Sequence, residues 1–136
     1  MAYAPLEQTV YERLAAGAAV AAIVGTRIYP ILAPQGAARP YVVFARQETE
    51  NLADLSGRGT HDVVQVAVMC FADEAETATA LARAVRDRLD GWGEAADTVQ
   101  SCRLIGRLGA TVGEPGADPV IIADTLLFRI LARETW

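Results

Sequence analysis

The chain has 136 residues, of which 52% are hydrophobic, and a formal net charge of −5 with an isoelectric point near 4.8. This predicts one domain spanning residues 1–136 with a sizeable core, and the acidic balance disfavours a nucleic-acid-binding surface, which is usually basic. All twelve basic residues are arginine, which excludes a phosphate-loop lysine, a Schiff-base lysine and a lysine general base.

The first 40 residues predict two short helices, an extended segment and a loop. A helix is expected from Pro5 to about Ala16, because proline suits the first turn and an apolar stripe follows at helical spacing. A second short helix is expected over residues 18–24, between two glycines. Residues 27–30 are expected to be extended, since the residue before a proline avoids the helical region, and residues 31–40 to form a loop.

A central strand and a well-capped helix are expected in the middle of the chain. Apolar residues on both sides of residues 61–72 predict a central strand that is covered on both faces. Asp73 is predicted to cap the following helix, with Glu76 three residues later in a capping box. Gly91 is a natural end for this helix.

Three more strands complete the predicted architecture. They are expected over residues 41–49, 99–112 and 120–133. Residues 50–60 predict a long, mobile hairpin loop, and residues 113–119 a tight turn. The order of elements predicts an α+β fold, with a largely antiparallel or mixed sheet of about four strands and helices packed on it.

No catalytic, cofactor or metal site is predicted, and the chain is not expected to be an enzyme. His61 is the single histidine, which excludes two-histidine metal sites, and a solvent-facing position at a strand end is favoured over a general base. Cys70 and Cys102 lie in apolar strand patterns and are expected to be reduced core thiols. Asp124 interrupts the apolar face of the last strand, where an ion pair, a subunit contact and an edge position all remain open.

Targeting to a membrane is not expected. The amino-terminal segment carries acidic residues and lacks a basic start, so it does not predict a signal peptide. The longest apolar run, at residues 18–24, is too short to span a bilayer. Two cysteines are too few for a disulfide framework, and a cytoplasmic protein is predicted.

A family resemblance is carried by two segments, RIYP at 27–30 and APQGAARPYVVF at 33–44. Together they resemble the signature of tail-completion proteins of long-tailed phages. A Val-Gln-Val strand at 64–66 and the helical segment at 80–86 follow at the expected distances. Similar proteins occur in phages, prophages and gene transfer agents, where they act as tail terminators or tail-to-head joining proteins.

The resemblance implies a structural virion protein without a cofactor. It would cap the head-proximal end of the tail tube, end tube polymerisation and join the tail to the head connector. Family members form rings, usually hexameric, so the implied partners are further copies of the chain, the tail tube protein and the connector or neck protein. Such a particle would be assembled in the host bacterial cytoplasm. Six copies at −5 each would carry a charge of about −30, which would let DNA pass through the ring without sequence-specific binding.

Three segments are candidates for contacts with a neighbouring subunit or partner. The first is the 50–60 loop, the second is the APQGAAR loop and the third is the 113–119 turn; exposed leucines in the first are easier to explain if assembly buries them. The candidate residues in these segments are Leu52, Leu55, Arg58, Arg39, Glu114 and Asp118.

Two alternative functions remain. Another neck or head-completion component would bind isolated heads rather than isolated tail tubes. A small ligand-binding or enzymatic α+β domain would require an apolar pocket with converging polar groups. The sequence offers only scattered polar candidates for such a pocket, namely Arg46, Gln47, Asp124 and Arg129.

Overall fold

The computed structural model describes residues 5–52, 61–94, 98–112 and 121–133, together with Thr135. These residues form three helices and five strands. Their bounds are α1 Pro5–Ala15, α2 Ala18–Val24, β1 Ile28–Pro30, β2 Tyr41–Leu52, β3 His61–Ala72, α3 Ala75–Leu89, β4 Val99–Val112 and β5 Ile121–Arg133.

The five strands form one mixed sheet in the order β1-β2-β3-β5-β4. β1 pairs with β2 in parallel, and every other neighbouring pair is antiparallel. The predicted α+β class is confirmed. The sheet has five strands rather than about four, because the extended segment around Tyr29 pairs with Val43 and its neighbours and so becomes the edge strand β1.

The helices pack on one face of the sheet, and every second strand residue points into the layer between them. The apolar stripe expected on α1 is confirmed, since Leu6, Val10 and Leu14 are buried there. The other buried residues of this core include Val20, Val24, Val64, Val66, Val68, Cys70, Leu81, Val85, Leu89, Leu126, Phe128 and Ile130.

The other face of β3 has no helix against it, so the prediction that this strand is covered on both faces is wrong. Val63, Met69 and Phe71 alternate with the buried set and are only partly buried, whereas Ala67 on the same face is fully buried. Alternating apolar residues predict a face that avoids water. They do not show whether the cover comes from the same chain or from a partner.

Two element boundaries differ from the predicted ones. Glu74, and not Asp73, occupies the N-cap position of α3, and no side-chain hydrogen bond caps the helix; the Asp73 carboxylate instead accepts a hydrogen bond from Arg39 Nε at 2.6 Å. β2 continues to Leu52, opposite His61, so the predicted 50–60 loop loses its first three residues to the strand.

The carboxyl-terminal ends of α1 and α3 are tied to each other by a reciprocal pair of hydrogen bonds. Arg13 Nε donates to the Arg88 carbonyl at 3.1 Å, and Arg88 Nε donates to the Arg13 carbonyl at 2.7 Å. A guanidinium at a helix carboxyl terminus also complements the helix dipole. α3 ends as predicted, with Gly91 at a φ of 80°, a conformation that glycine adopts without steric cost.

Candidate interaction surface

The sheet face without helices, called the open face here, divides into an apolar end and a charged end. The strand registers place Tyr41, Phe71 and Ala123 in one row at the apolar end. Toward the other end, the same face carries polar and charged residues beside Val63 and Leu131. The open face is the one large surface of the described sheet that the chain's own helices leave uncovered.

An aromatic row crosses three neighbouring strands at the apolar end. The rings of Tyr29 and Tyr41 meet edge to face with centroids 5.9 Å apart, and those of Tyr41 and Phe71 lie 5.0 Å apart. Such pairs stabilise by about 0.5–1.5 kcal/mol beyond the area they bury. All three rings remain partly exposed, so the row is a preformed apolar platform.

The loop after β1 overhangs this platform and creates a cleft of about 440 Å³ between residues 31–37 and the sheet. The floor of the cleft is formed by Tyr41, Val43, Met69 and Phe71. On its rim, Ile31 is 70% exposed and Leu32 is 79% exposed, the largest exposures among the big apolar side chains of the described chain. A contiguous exposed apolar patch of this kind is typical of a binding surface.

Ile31 holds an unusual backbone conformation at the start of this loop. Its φ is 70°, which a β-branched residue adopts only at a steric cost. The Ile31 N–H donates to the Phe44 carbonyl at 2.8 Å, so the strand ladder fixes the residue in this position. The consequence is that two large apolar side chains, Ile31 and Leu32, project outward where the chain leaves the sheet.

Arginines anchor the far end of the same loop. Arg39 Nε lies 2.6 Å from the Asp73 carboxylate, and Arg27 Nε donates to the Pro40 carbonyl at 2.9 Å. The loop predicted as the second contact segment therefore lines the cleft. Arg39 itself contributes to the cleft lining while it bonds to Asp73, two residues before the start of α3.

The charged end of the open face carries opposite charges on its two sides. The registers place Glu48 opposite Gln65, Gln65 opposite Arg129, and Arg129 opposite Arg103, in one row from β2 to β4. Glu50 lies exposed in the next row. The β2 side of this end is thus acidic and the β4 side is basic.

A polar cluster on the helix-covered face holds the acidic side of the sheet in place. Arg46 donates to both oxygens of the Glu7 carboxylate at 2.7 and 3.1 Å, and also to the Thr135 carbonyl at 2.6 Å. Asp62 is buried and accepts from Asn51 Nδ2 at 2.7 Å. These contacts join α1, β2, β3 and the carboxyl-terminal segment, so the end of β2 is built into the fold.

Only two of the predicted contact residues lie in the described part of the chain. Leu52 is the last residue of β2 and is 40% exposed, and Arg39 lies at the cleft. Leu55, Arg58, Glu114 and Asp118 lie outside the described residues. The strand ends that lead to residues 53–60 and to residues 113–120 are at opposite ends of the sheet. Leu52 lies in the same row as Arg133, the last residue of β5, whereas Val112 pairs with Ile121, the first residue of β5.

The polar residues considered for a ligand pocket do not come together. Asp124 accepts hydrogen bonds from Arg107 Nε at 2.9 Å and from the Arg107 terminal nitrogen at 2.5 Å. Of the three possibilities left open for Asp124, the structure therefore shows the ion pair. Arg46 and Asp124 are on the helix-covered face, whereas Arg129 is on the open face. His61 is half-buried, with Nε2 3.0 Å from the Gln100 amide nitrogen.

Both cysteines are free and buried, as predicted. Burial raises the pKa of Cys70 to about 12, with the nearby Asp124 carboxylate adding to the effect. Burial likewise raises the pKa of Cys102 to about 12, with a contribution from Asp90. Both thiols therefore hold their protons at neutral pH and are poor nucleophiles.

Because of these raised pKa values, we expect neither thiol of the native chain to react with a disulfide reagent at pH 8, whereas both should react in denaturant. The variant Ser101→Cys is a matched control, since Ser101 is exposed beside Cys102 and should add one fast-reacting thiol. A native chain that reacts as fast as the unfolded one would contradict this.

The same shifts predict loss of stability at alkaline pH. The unfolded thiols ionise near pH 9 and the folded ones near pH 12. The two thiols therefore make their full contribution to the free energy of unfolding below pH 9. This contribution is lost as the pH rises toward 12, by up to about 1.4 kcal/mol per pH unit for each thiol. Urea unfolding between pH 8 and 10.5 measures this. The Cys70→Ala/Cys102→Ala variant should show a shallower decline.

Within the described residues, no group of three or more histidine, cysteine or acidic side chains is arranged to hold a metal ion. None of the helices in that part of the chain has the length and apolar character needed to cross a membrane. The open face thus combines a shaped apolar end with a charged end. Sequence reasoning missed Ile31, Leu32, Tyr41 and Phe71 as candidate contact residues, although the surplus of apolar residues on the second face of β3 was a signal for them.

Comparison with known proteins identifies one family and similar solved structures. A family described as "Tail completion protein gp17" matches residues 8–117. Among solved structures, the chain is similar to one described as "Virion of native gene transfer agent (GTA) particle", with 30% sequence identity, 91% of each chain covered and a TM-score of 0.64. No curated protein matches the chain.

Proposed function

As a member of the tail completion protein gp17 family, the chain is a structural protein of a phage-type virion tail, and we propose that it caps the head-proximal end of the tail tube. In this role residues 1–136 act as a single tail-terminator domain. The cap ends polymerisation of the tube and presents a surface to the head connector. The proposed partners are the tube protein, the connector or neck protein and further copies of the chain in a ring.

The observation that carries this proposal is the apolar end of the open face. Ile31 and Leu32 are 70% and 79% exposed beside a cleft whose floor includes the rings of Tyr41 and Phe71. Completely burying an isoleucine or leucine side chain contributes about 1.5–3 kcal/mol. Burial of these two residues alone would therefore supply a substantial part of the binding free energy of a partner in this cleft. We assign the tube protein to the cleft.

The two ends of the sheet support a cap with two docking faces. The cleft lies at the end of the sheet that holds Tyr41 and Phe71, and Leu52 lies at the opposite end. A ring of copies with strands roughly along its axis would present the cleft end on one side and the Leu52 end on the other. In this proposal the Leu52 side, which continues into the residues carrying Leu55 and Arg58, meets the connector.

Net charge supports passage of DNA through such a ring. Six copies at −5 each carry about −30, and an acidic lumen repels the phosphate backbone, whose binding depends mainly on basic side chains. The ring therefore needs no sequence-specific contact with the genome.

The test combines the purified chain with isolated tail tubes and, separately, with isolated heads. We expect electron micrographs to show density at one end of each tube, and tube growth from free tube protein to stop when the chain is added. The solution mass at several concentrations shows whether rings form before or on the tube. Binding to heads alone would favour another neck component, and binding to neither would overturn the proposal.

A further inference from the structure

A groove runs between α3 and β4 on the helix-covered side of the sheet. β4 is the outermost strand beside β5, and α3 packs mainly on β3 and β5, so a furrow remains along the outer side of the helix. It contains one recess of about 120 Å³ and one of about 400 Å³, and Thr79 lines both. We call this furrow the α3–β4 groove.

The smaller recess of the α3–β4 groove carries three arginines. Arg83 and Arg86 belong to α3, and Arg107 belongs to β4 on the other wall. Arg83 and Arg86 are exposed neighbours on the helix surface, and like charges at such spacing destabilise a helix. An anion bound in the recess would relieve this repulsion.

Many of the guanidinium donors around this recess are not used inside the described part of the chain. Arg83 makes no hydrogen bond or ion pair there. Arg86 contacts only the adjacent Asp87, at 3.3 and 3.4 Å. Arg107 binds Asp124 through Nε and one terminal nitrogen, which leaves its second terminal nitrogen for another acceptor. A guanidinium offers five N–H donors, so the recess can still bind an oxyanion.

The walls of the α3–β4 groove suit a protein carboxylate better than a nucleic acid. The floor of the smaller recess is apolar, formed by Ala82, Leu104 and Leu126. The larger recess has small or apolar walls, at Ala75, Ala78, Gly109, Ile122 and Ala123. Apolar walls can bury the methylene groups of a glutamate and its neighbours, whereas a phosphate backbone offers little to them. The chain's net charge of −5 also opposes a polyanion such as DNA.

Exposed carboxylates lie on the other side of the same sheet. Glu48 and Glu50 are exposed on β2, and neither has a hydrogen bond or ion pair to a described residue. The register shift between Arg46 and Glu48 adds one residue to β2, which reverses the alternation of faces. Arg46 thus bonds to Glu7 on the helix-covered face, whereas Glu48 and Glu50 lie on the open face.

We propose that Arg83, Arg86 and Arg107 of one copy bind Glu48 and Glu50 of the next copy. Arginine–carboxylate contacts are charge-assisted hydrogen bonds, which are stronger than neutral ones. The two surfaces are different and lie on opposite sides of the sheet, so the contact is heterologous, and a heterologous contact builds a ring when its rotation closes. This inference rests on the ring in the proposed function and names the residues that join its subunits.

Charge reversal tests the contact in solution. Arg83→Glu/Arg86→Glu and Glu48→Arg/Glu50→Arg should each raise the concentration needed for assembly by at least about tenfold. Combining all four changes makes the two surfaces complementary again and should restore assembly to within about threefold. A folding defect would not be repaired in this way. Failure of the combined variant to assemble would contradict the pairing.

Two further measurements separate this contact from other uses of the arginines. Arg103→Glu/Arg129→Glu makes the same change in charge on the open face and should assemble like the unchanged chain. Random-sequence duplex DNA is the probe for phosphate binding, and Arg83→Glu/Arg86→Glu should not change its affinity. Loss of duplex binding with unchanged assembly would assign the groove to phosphate and overturn the inference. Loss of tube or head binding with unchanged assembly would also overturn it.

Chemical cross-linking tests the same contact without altering a charge. Gln47→Cys/Thr79→Cys places one exposed thiol beside the carboxylates and one in the α3–β4 groove, and the native thiols are buried. A short bis-maleimide should convert the assembled variant into a ladder of species in a denaturing gel. Each single variant, Q47C or T79C, should give nothing larger than a dimer. An assembled double variant without a ladder would count against the contact.

The two levels of the proposal fail differently. If both charge-reversed variants assemble like the unchanged chain, the groove contact is wrong, whether or not tubes are capped. If the chain assembles through the groove but leaves tubes uncapped, the proposed function is wrong and the contact between copies stands. A chain that stays monomeric both in solution and on tubes overturns the ring and the groove contact together.

Discussion

Replacement of Phe128 by alanine is expected to lower the free energy of unfolding by about 3–5 kcal/mol. Phe128 is 0% exposed, and it lies on β5 between Val66 and Leu104 on the helix-covered face. The smaller side chain leaves a cavity that a closely packed interior fills poorly. For a domain of this size the melting temperature should fall by roughly 10–20 °C. Urea and thermal unfolding measure the loss.

Phe71→Ala is the matched control, because it removes the same side chain from the open face. Phe71 is half-buried and contacts the Tyr41 ring, so its loss should cost only about 1–2 kcal/mol. Equal losses at the two positions would show that the open face is as well covered as the core. That result would contradict the assignment of the face to a partner.

Replacement of Ile31 and Leu32 together by asparagine is expected to weaken binding to the tail tube by at least about a hundredfold. Both side chains project from the rim of the cleft. The substitutions remove the apolar surface that these side chains would bury against the tube. The stability of the free chain should change by no more than about 0.5 kcal/mol, as is usual for exposed positions. Asparagine also tolerates the positive φ at residue 31 better than isoleucine does.

The readouts for this variant are tube capping, self-assembly and the melting temperature, measured on one preparation. Ring formation should be unchanged, because the proposal assigns the cleft to the tube protein and not to a neighbouring copy. Ala22→Gln/Ala80→Gln, which adds two amides at exposed helical positions, should still cap tubes. Normal capping by the Ile31→Asn/Leu32→Asn variant, with loss of head joining instead, would move the connector to the cleft.

Local sequence patterns predicted most of the elements because their causes are local. Pro5, the flanking glycines of residues 18–24 and Gly91 act through backbone geometry within one turn, and the structure has helix ends at or beside these positions. The N-cap of α3 failed for a non-local reason, since the Asp73 carboxylate bonds to Arg39 from a distant part of the chain. Element type was thus more predictable than the partner of any one polar side chain.

The contact surface was only partly predictable. The sequence placed the APQGAAR loop among the contact segments, and the structure has this loop over the cleft. It did not select Tyr41 and Phe71, because the two rings become neighbours only through the pairing of β2 with β3. The row of Glu48, Arg129 and Arg103 depends on three strand registers, two of which contain irregularities. No local sequence pattern encodes the combined effect of three strand registers.

The sequence by itself determined the helices and strands, the α+β class and the apolar character of both faces of the central strand. Only the tertiary structure decided which face the helices cover, since periodicity records that side chains avoid water and not what excludes the water. It also decided that Glu48, Arg129 and Arg103, which are far apart in the chain, lie in one row across the open face. These two outcomes depend on strand order and register, and they turn an ordinary hydrophobic pattern into a surface suited to assembly.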